Sequence, residues 1–227
     1  MKQYNGEKAI ISLTSWKARI NTVCKTLFSL IDQCPGFHIV LVLSEEEFPK
    51  KEDELPENLK IFIDNDLIEV LWVYKNYKSF KKVLFTMDKY RNVPVISADD
   101  GCIYVRNYAE ELYQNWLSHP NEIISEAKFT HKRMLMGGSG CGILFPPRIF
   151  IDFDLDLLDF IIDYTLNDDL FYSCLAKKFN KTFFFIHGDN FRRFLPFKEL
   201  SEHRSDSIWN DKKCSFNNLV FFQRVLA

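Results

Sequence analysis

Residues 96–104 read ISADDGCIY, and they close a longer apolar run, VPVISADD, over 93–100. The run reads as a strand, the fourth of the chain. It ends in two adjacent carboxylates, Asp99 and Asp100, followed by Gly101. In open α/β sheets ligands bind beyond the carboxyl ends of the strands. Two neighbouring carboxylates repel and raise each other's pKa unless a positive charge lies against them. A hard divalent cation, Mn²⁺ or Mg²⁺, supplies that charge and keeps positions for water and substrate phosphate. Asp-Asp-Gly is also a good turn tripeptide. From these residues alone both readings stay open.

Working outward, strands and helices alternate. KAIISLTS gives a strand over 8–13, and RINTVCKTLFSLIDQ carries apolar residues at helical spacing. FHIVLVLS (37–44) and IEVLWVY (68–74) are further strands, and SFKKVLFTMDKY is a helix. EEEFPKKEDELPENLK, between the second and third strands, reads as a charged surface loop with a helical turn at most. Beyond the aspartates come the helix NYAEELYQNWLSHP, the strand EIISEAK, a glycine-rich loop in MLMGGSGCGILFPP, the helix NDDLFYSCLAKKFN and the late strand KTFFFIHGD. DLLDFIIDYTL is the most apolar helical candidate. The alternation predicts an α/β sandwich with a mainly parallel central sheet. Residues 1–227 read as one domain, with 190–227 an extension that packs on it or stays partly mobile.

The 227 residues hold 29 Lys and Arg against 31 Asp and Glu, a net charge of −2, so no global positive field favours nucleic acid. No run of 18 apolar residues exists, and the N-terminal apolar run is too short for a signal peptide. The cysteines at 24, 34, 102, 141, 174 and 214 form no C-x-x-C and read as reduced thiols of a cytoplasmic protein. GGSGCG (137–142) is neither a Walker A loop nor G-x-G-x-x-G, which removes the ATPase and dinucleotide readings.

Taken in order, ISLTSWKARINTVCKTLFSLIDQ, LPENL, YKSFKKVLFTMDKYRNVPVISADDGCIY, GGSGCGILFPP and NDDLFYSCLAKKFN resemble the bacterial glycosyltransferases of the GT-A fold. The resemblance is to the family-2-like enzymes of surface polysaccharide and lipopolysaccharide biosynthesis, and covers residues 8–187. It implies a three-layer α/β sandwich that moves a sugar from a nucleotide-diphosphate sugar, UDP-sugar favoured, to a glycan or lipid-linked hydroxyl. It implies inversion and a divalent cation, Mn²⁺ or Mg²⁺, at a DXD-like motif. Asp99 would face the ribose and share the cation with Asp100, and His187 would be a further ligand. This chain departs from the family's Asp-Asp-Asp or Asp-x-Asp at Gly101, which puts one ligand in doubt.

By the same resemblance, Thr14, Ser15, Trp16 and Arg19 contact the donor's base and phosphates. Arg19 suits a bidentate grip on phosphate and Trp16 a stacked base. Lys81, ahead of Lys82, would neutralise the diphosphate. Gly138, Ser139 and Gly140 would lie under the transferred sugar. Asp168 and Asp169 open a helix capped by Asn167, and Asp169 would be the base that takes the acceptor proton. Each also has a bland reading: solvated lysines, a turn, acidic residues favoured by a helix dipole, a structural histidine. The mixture of cations and aromatics at 192–206 reads as ordinary surface or as a peripheral contact with a membrane bearing the acceptor. Two other classes remain: a glycosyltransferase-like scaffold without turnover, and a metal-dependent phosphohydrolase.

Overall fold

A computed structural model describes residues 7–33, 35–131, 134–188 and 196–200. The elements are β1 (Ala9–Thr14), α1 (Val23–Ile31), β2 (Phe37–Ser44), α2 (Glu57–Asp64), β3 (Glu69–Val73), α3 (Lys81–Lys89), β4 (Val95–Ser97), β5 (Cys102–Tyr104) and α4 (Tyr108–Ser118). They continue as β6 (Ile123–Ser125), β7 (Phe129–His131), β8 (Met134–Met136), β9 (Ile143–Phe145), α5 (Leu157–Tyr164), α6 (Asp168–Lys178), β10 (Phe183–Phe185) and β11 (Phe197–Glu199).

Seven strands form one sheet in the order β10-β6-β9-β4-β1-β2-β3. All neighbours run parallel except β9, which is antiparallel to both β4 and β6. Because side chains alternate along a strand, each strand feeds two cores. Ile11, Leu13, Leu41 and Leu43 pack on one face against α1, α2 and α4 through Leu27, Leu59 and Leu112. Ile10, Val40, Val42 and Val95 point to the other face, beside Phe85 and Met87 of α3. That face continues over β6 and β9, where Ile123, Ile143 and Phe145 meet Leu158 of α5 and Phe171 and Leu175 of α6. The result is helices, sheet, helices: the expected three-layer sandwich.

The strand order reverses between β1 and β4, since the chain turns to β2 on one side of β1 and reaches β4 on the other. A crevice therefore opens beyond the carboxyl ends of these two strands. β4 is shorter than the 93–100 read from the sequence, so Asp99 and Asp100 stand past its end, in the turn that leads to β5. The charged loop after β2 holds a short 3₁₀ turn at Lys51–Glu54 and the full helix α2, whose Leu59 and Phe62 are buried. A two-stranded pairing the sequence did not announce joins β5 to β11, with Glu199 opposite Cys102. The described cysteines Cys24, Cys102, Cys141 and Cys174 are free thiols. No helix among the described residues is long and apolar enough to cross a membrane. Most of 190–227, with much of the 192–206 segment, lies outside the described residues.

Candidate active site

A cleft of about 620 Å³ opens at the β1–β4 crevice. Thr14, Ser15, Trp16, Arg19, Lys81, Asp99, Asp100, Gly138, Ser139, Gly140, Asp168 and Asp169 all line it. These residues come from five separate stretches of chain. His187 is absent from the lining, whereas Lys82, Asn76, Phe197 and Glu199 are present.

Asp100 is buried, and burial raises its carboxyl above the ordinary range while Arg19 and Ser15 pull it back. Arg19 Nη1 donates to Oδ1 at 2.9 Å and Ser15 Oγ to Oδ2 at 2.7 Å. Thr26 Oγ1 donates to the Asp100 carbonyl at 2.8 Å, which fixes the turn on α1. Asp99 Oδ1 receives Lys82 Nζ at 2.5 Å. Lys82 is 1 % exposed and also lies 3.3 Å from both Asp168 Oδ2 and Ser139 Oγ. Burial works against its charge, but Asp99 and Asp168 outweigh that and hold the ammonium protonated. Ser12 of β1 donates its hydroxyl to the Lys82 carbonyl and lies 2.7 Å from Thr86 Oγ1, which pins α3 in register.

The glycine-rich segment closes the other wall. Ser97 Oγ donates to the Ser139 carbonyl at 2.8 Å and receives the Ile143 amide at 3.2 Å, fastening both ends of the loop to β4. Ser139 then meets both acidic residues of α6: its amide donates to Asp169 Oδ1 at 2.6 Å and its hydroxyl to Asp168 Oδ2 at 2.8 Å. A Cβ at Gly140 would sit 2.2 Å from Asp99 Oδ2, so the missing side chain is what lets Asp99 face the cleft. Tyr104 Oη receives the Asp99 amide at 2.7 Å and donates to the Gly140 carbonyl at 3.1 Å, coupling the two.

α6 is buried almost along its whole length, which is why its first turn reaches the cleft rather than solvent. Asn167 caps it, accepting from the Leu170 amide at 2.8 Å. Burial, then the neighbouring Asp168, push Asp169 up to about 7 against the pull of Ser139 and Lys82. A carboxyl titrating there can take a proton near neutrality.

Three expectations change. Arg19 does not present a free fork for phosphate, because Asp100 takes its Nη1. Lys81 is the outer of the two lysines: Nζ donates to Asn76 Oδ1 and the Lys78 carbonyl, both at 3.1 Å, and burial lowers it to about 8. Lys82 occupies the centre that the resemblance had left to its neighbour. Finally, Asp99, Asp100 and His187 do not converge as cation ligands. His187 lies instead 3.2 Å from Glu126 and 3.5 Å from Glu111. At the aspartates the chain's own donors take the oxygens a divalent ion would use: Arg19 and the Ser15 hydroxyl engage the two Asp100 oxygens, and Asp99 keeps one oxygen beyond its Lys82 bond. This pair does not fit a divalent ion as a chelate. A group of mixed acidic and histidine ligands does exist, at Glu111, Glu126 and His187.

Of the residues that sequence reasoning missed, Glu199 and Phe197 had no signal, since they arrive through the long-range β5–β11 pairing. Lys82 was weighed but ranked behind Lys81, and the structure reverses that order.

No family model matches the chain, and no curated protein matches it. Solved structures do. S. aureus TarS superposes with a TM-score of 0.53 at 11 % identity, over 79 % of this chain and 35 % of TarS. The TarS fragment 1–349 gives 0.52 at 11 % identity, over 75 % of this chain and 55 % of the fragment. This chain thus spans about a third of the length of TarS. GalNAc-T7 with UDP, GalNAc and Mn²⁺ gives 0.42 at 17 % identity, over 54 % of this chain and 23 % of that one, too distant a superposition to carry an argument. TarS is a glycosyltransferase of GT-A type. With its mainly parallel seven-stranded sheet and its cleft at the β1–β4 crevice, this chain has the fold of the GT-A glycosyltransferases.

Proposed function

We propose that the chain is a glycosyltransferase that moves a sugar from a nucleotide-diphosphate sugar to a hydroxyl of a glycan or lipid-linked acceptor. UDP-sugar is the favoured donor, and surface polysaccharide biosynthesis is the setting. The observation that supports it most is the pairing, in one cleft, of a buried carboxyl at about 7 with a fully buried lysine: Asp169 at the Ser139 amide and Lys82 at its hydroxyl.

In this reading Thr14, Ser15 and Trp16 receive the nucleoside, and Asp99 the ribose. Trp16 is 39 % exposed, which leaves a face for a base. Arg19 is a positioning residue that holds Asp100 and the turn. The acceptor hydroxyl gives its proton to Asp169 and attacks the anomeric carbon in line. The new C–O bond forms as the bond to the diphosphate breaks. The leaving oxygen takes the electron pair, and because the hydroxyl enters on the face opposite it the configuration inverts. The transition state has oxocarbenium character, as in glycoside hydrolysis. Lys82 and Lys81, fixed before the reaction, oppose the charge that develops on the diphosphate. No step is routed through a divalent cation, because the aspartate pair does not offer a chelate.

The same ion pairs give one observation to the scaffold reading: a cleft whose carboxylates are already neutralised is stable without donor. Release of nucleoside diphosphate from UDP-sugars, with glycan acceptors, separates the two. Turnover in the wild type that Asp169→Asn abolishes supports the enzyme. Donor binding with no turnover on any acceptor sinks it.

A further inference from the structure

β6 and β10 are parallel neighbours, with Ser125 opposite Phe185. Beyond these carboxyl ends, Glu126, one residue past Ser125, and His187, two residues past Phe185, come to the same place. Glu111 of α4 reaches the same point, and one ligand-capable atom from each of the three lies within 4.8 Å of the others. Glu126 is 1 % exposed, and among the described residues neither of its carboxylate oxygens has a hydrogen bond. His187 Nε2 is 3.2 Å from Oε2, without the alignment of a hydrogen bond. The other charge bearing on Glu126 is Glu111, of the same sign; burial first, then Glu111, push its carboxyl up to about 8. A buried carboxylate with no donor, facing a second carboxylate and an imidazole, is an arrangement that a cation completes.

We propose that Glu111, Glu126 and His187 bind a first-row divalent transition ion that clamps α4 to the ends of β6 and β10. Two carboxylates and an imidazole suit Zn²⁺ or Mn²⁺, while Mg²⁺ and Ca²⁺ prefer oxygen alone. Three protein ligands leave a position for water, and side-chain exposures of 20 % at His187 and 30 % at Glu111 leave a route for it. The site is separate from the cleft, whose lining includes none of the three. The glycine-rich segment stands between them: a Cβ at Gly142 would lie 3.3 Å from Glu126 Cγ, and one at Gly140 would collide with Asp99. The proposal does not rest on the glycosyltransferase reading.

The test uses the full chain, treated with chelator, without nucleotide. Zn²⁺ and Mn²⁺ alone are each titrated by equilibrium dialysis and thermal unfolding, with Mg²⁺ as control. One ion per chain is expected. At a hundredfold excess over Kd the midpoint should rise by about 5–10 °C, and Mg²⁺ should not reproduce the rise. Glu126→Gln and His187→Ala should each weaken binding by about tenfold or more, while Asp99→Asn keeps it. Diethyl pyrocarbonate labelling of the wild type gives a reading free of any folding defect in the variants: the ion should protect His187 and leave His119 reactive. No stoichiometric uptake, uptake indifferent to both variants, or unchanged labelling of His187 would each overturn the site.

Discussion

Replacing Lys82 by Met keeps most of the volume and removes the charge between the two walls of the cleft. Lys82 is 1 % exposed and lies against Asp99, at 2.5 Å, and Asp168, at 3.3 Å. Asp99 has 45 % of its side chain exposed, so solvent screens that pair, and most of the cost falls on the Asp168 side. Breaking a buried pair by deleting one partner typically costs about 3–5 kcal/mol, because the other charge is left buried and unpaired. For a chain of this size that lowers Tm by about 6–20 °C. The sign with pH follows from the carboxylates. Asp169 is already raised to about 7, and Lys82 is one of the groups holding it down. Without Lys82 the acidic pair binds protons more tightly, so the loss is full at pH 8 and shrinks as pH falls towards 5. Urea denaturation at both pH values reads this directly, with equal m-values required for the comparison. Adding Asp168→Asn to Lys82→Met should recover about 1–3 kcal/mol at pH 8, since it removes the orphaned charge. A loss under about 1 kcal/mol at pH 8, or one that does not change between pH 8 and pH 5, refutes the buried-cation account.

Asp169→Asn should abolish transfer while nucleotide binding persists. In the wild type kcat/KM should climb with pH to a plateau above about 7, because a carboxyl raised from its ordinary value of 3.8 becomes a base only as pH passes its folded pKa. That same shift means the contribution of Asp169 to stability is full below pH 3.8 and is lost progressively as pH rises from 3.8 to about 7. Gly140→Ala places a Cβ 2.2 Å from Asp99 Oδ2, so Asp99 must rotate off Lys82; nucleotide affinity should fall with the circular dichroism spectrum unchanged. Asn167→Ala removes the cap that accepts from the Leu170 amide, and should cost about 1 kcal/mol in denaturant unfolding, with a larger fall in kcat because α6 carries Asp168 and Asp169.

The layers of the fold were legible because the strands that build its centre are local and apolar. FHIVLVLS is buried from Ile39 onward and forms β2 with the bounds read from the run itself. Most of the residues that line the cleft were legible for a related reason: they follow strand ends or open a helix, and a strand–helix alternation fixes which ends share an edge. The roles within the site were not legible. Lys81 and Lys82 are adjacent and chemically alike, and which one reaches the aspartates depends on how Ser12 and Thr86 set the rotation of α3 against β1. Likewise, Arg19 could be read as a phosphate ligand until Asp100 was seen beneath it. His187 was legible as a residue with ligand chemistry, but its companions were not, since Glu111 and Glu126 lie 76 and 61 positions upstream, Glu126 meeting it through the β6–β10 pairing and Glu111 from α4. The β5–β11 strand pair escaped because β11 is three residues long and carries no alternation strong enough to declare itself.

The claim at the centre is that the β1–β4 cleft binds a nucleoside diphosphate against cations the chain itself supplies. Thermal unfolding of the full chain with UDP, GDP or CMP, in chelator and again in Mn²⁺, tests it most directly. UDP at a hundred times its Kd should stabilise by about 2.7 kcal/mol, in chelator as well as in Mn²⁺, and Lys82→Met should lose that shift. A shift that appears only with Mn²⁺ contradicts the role given to Lys82, and no shift with any nucleotide under either condition contradicts the donor site itself.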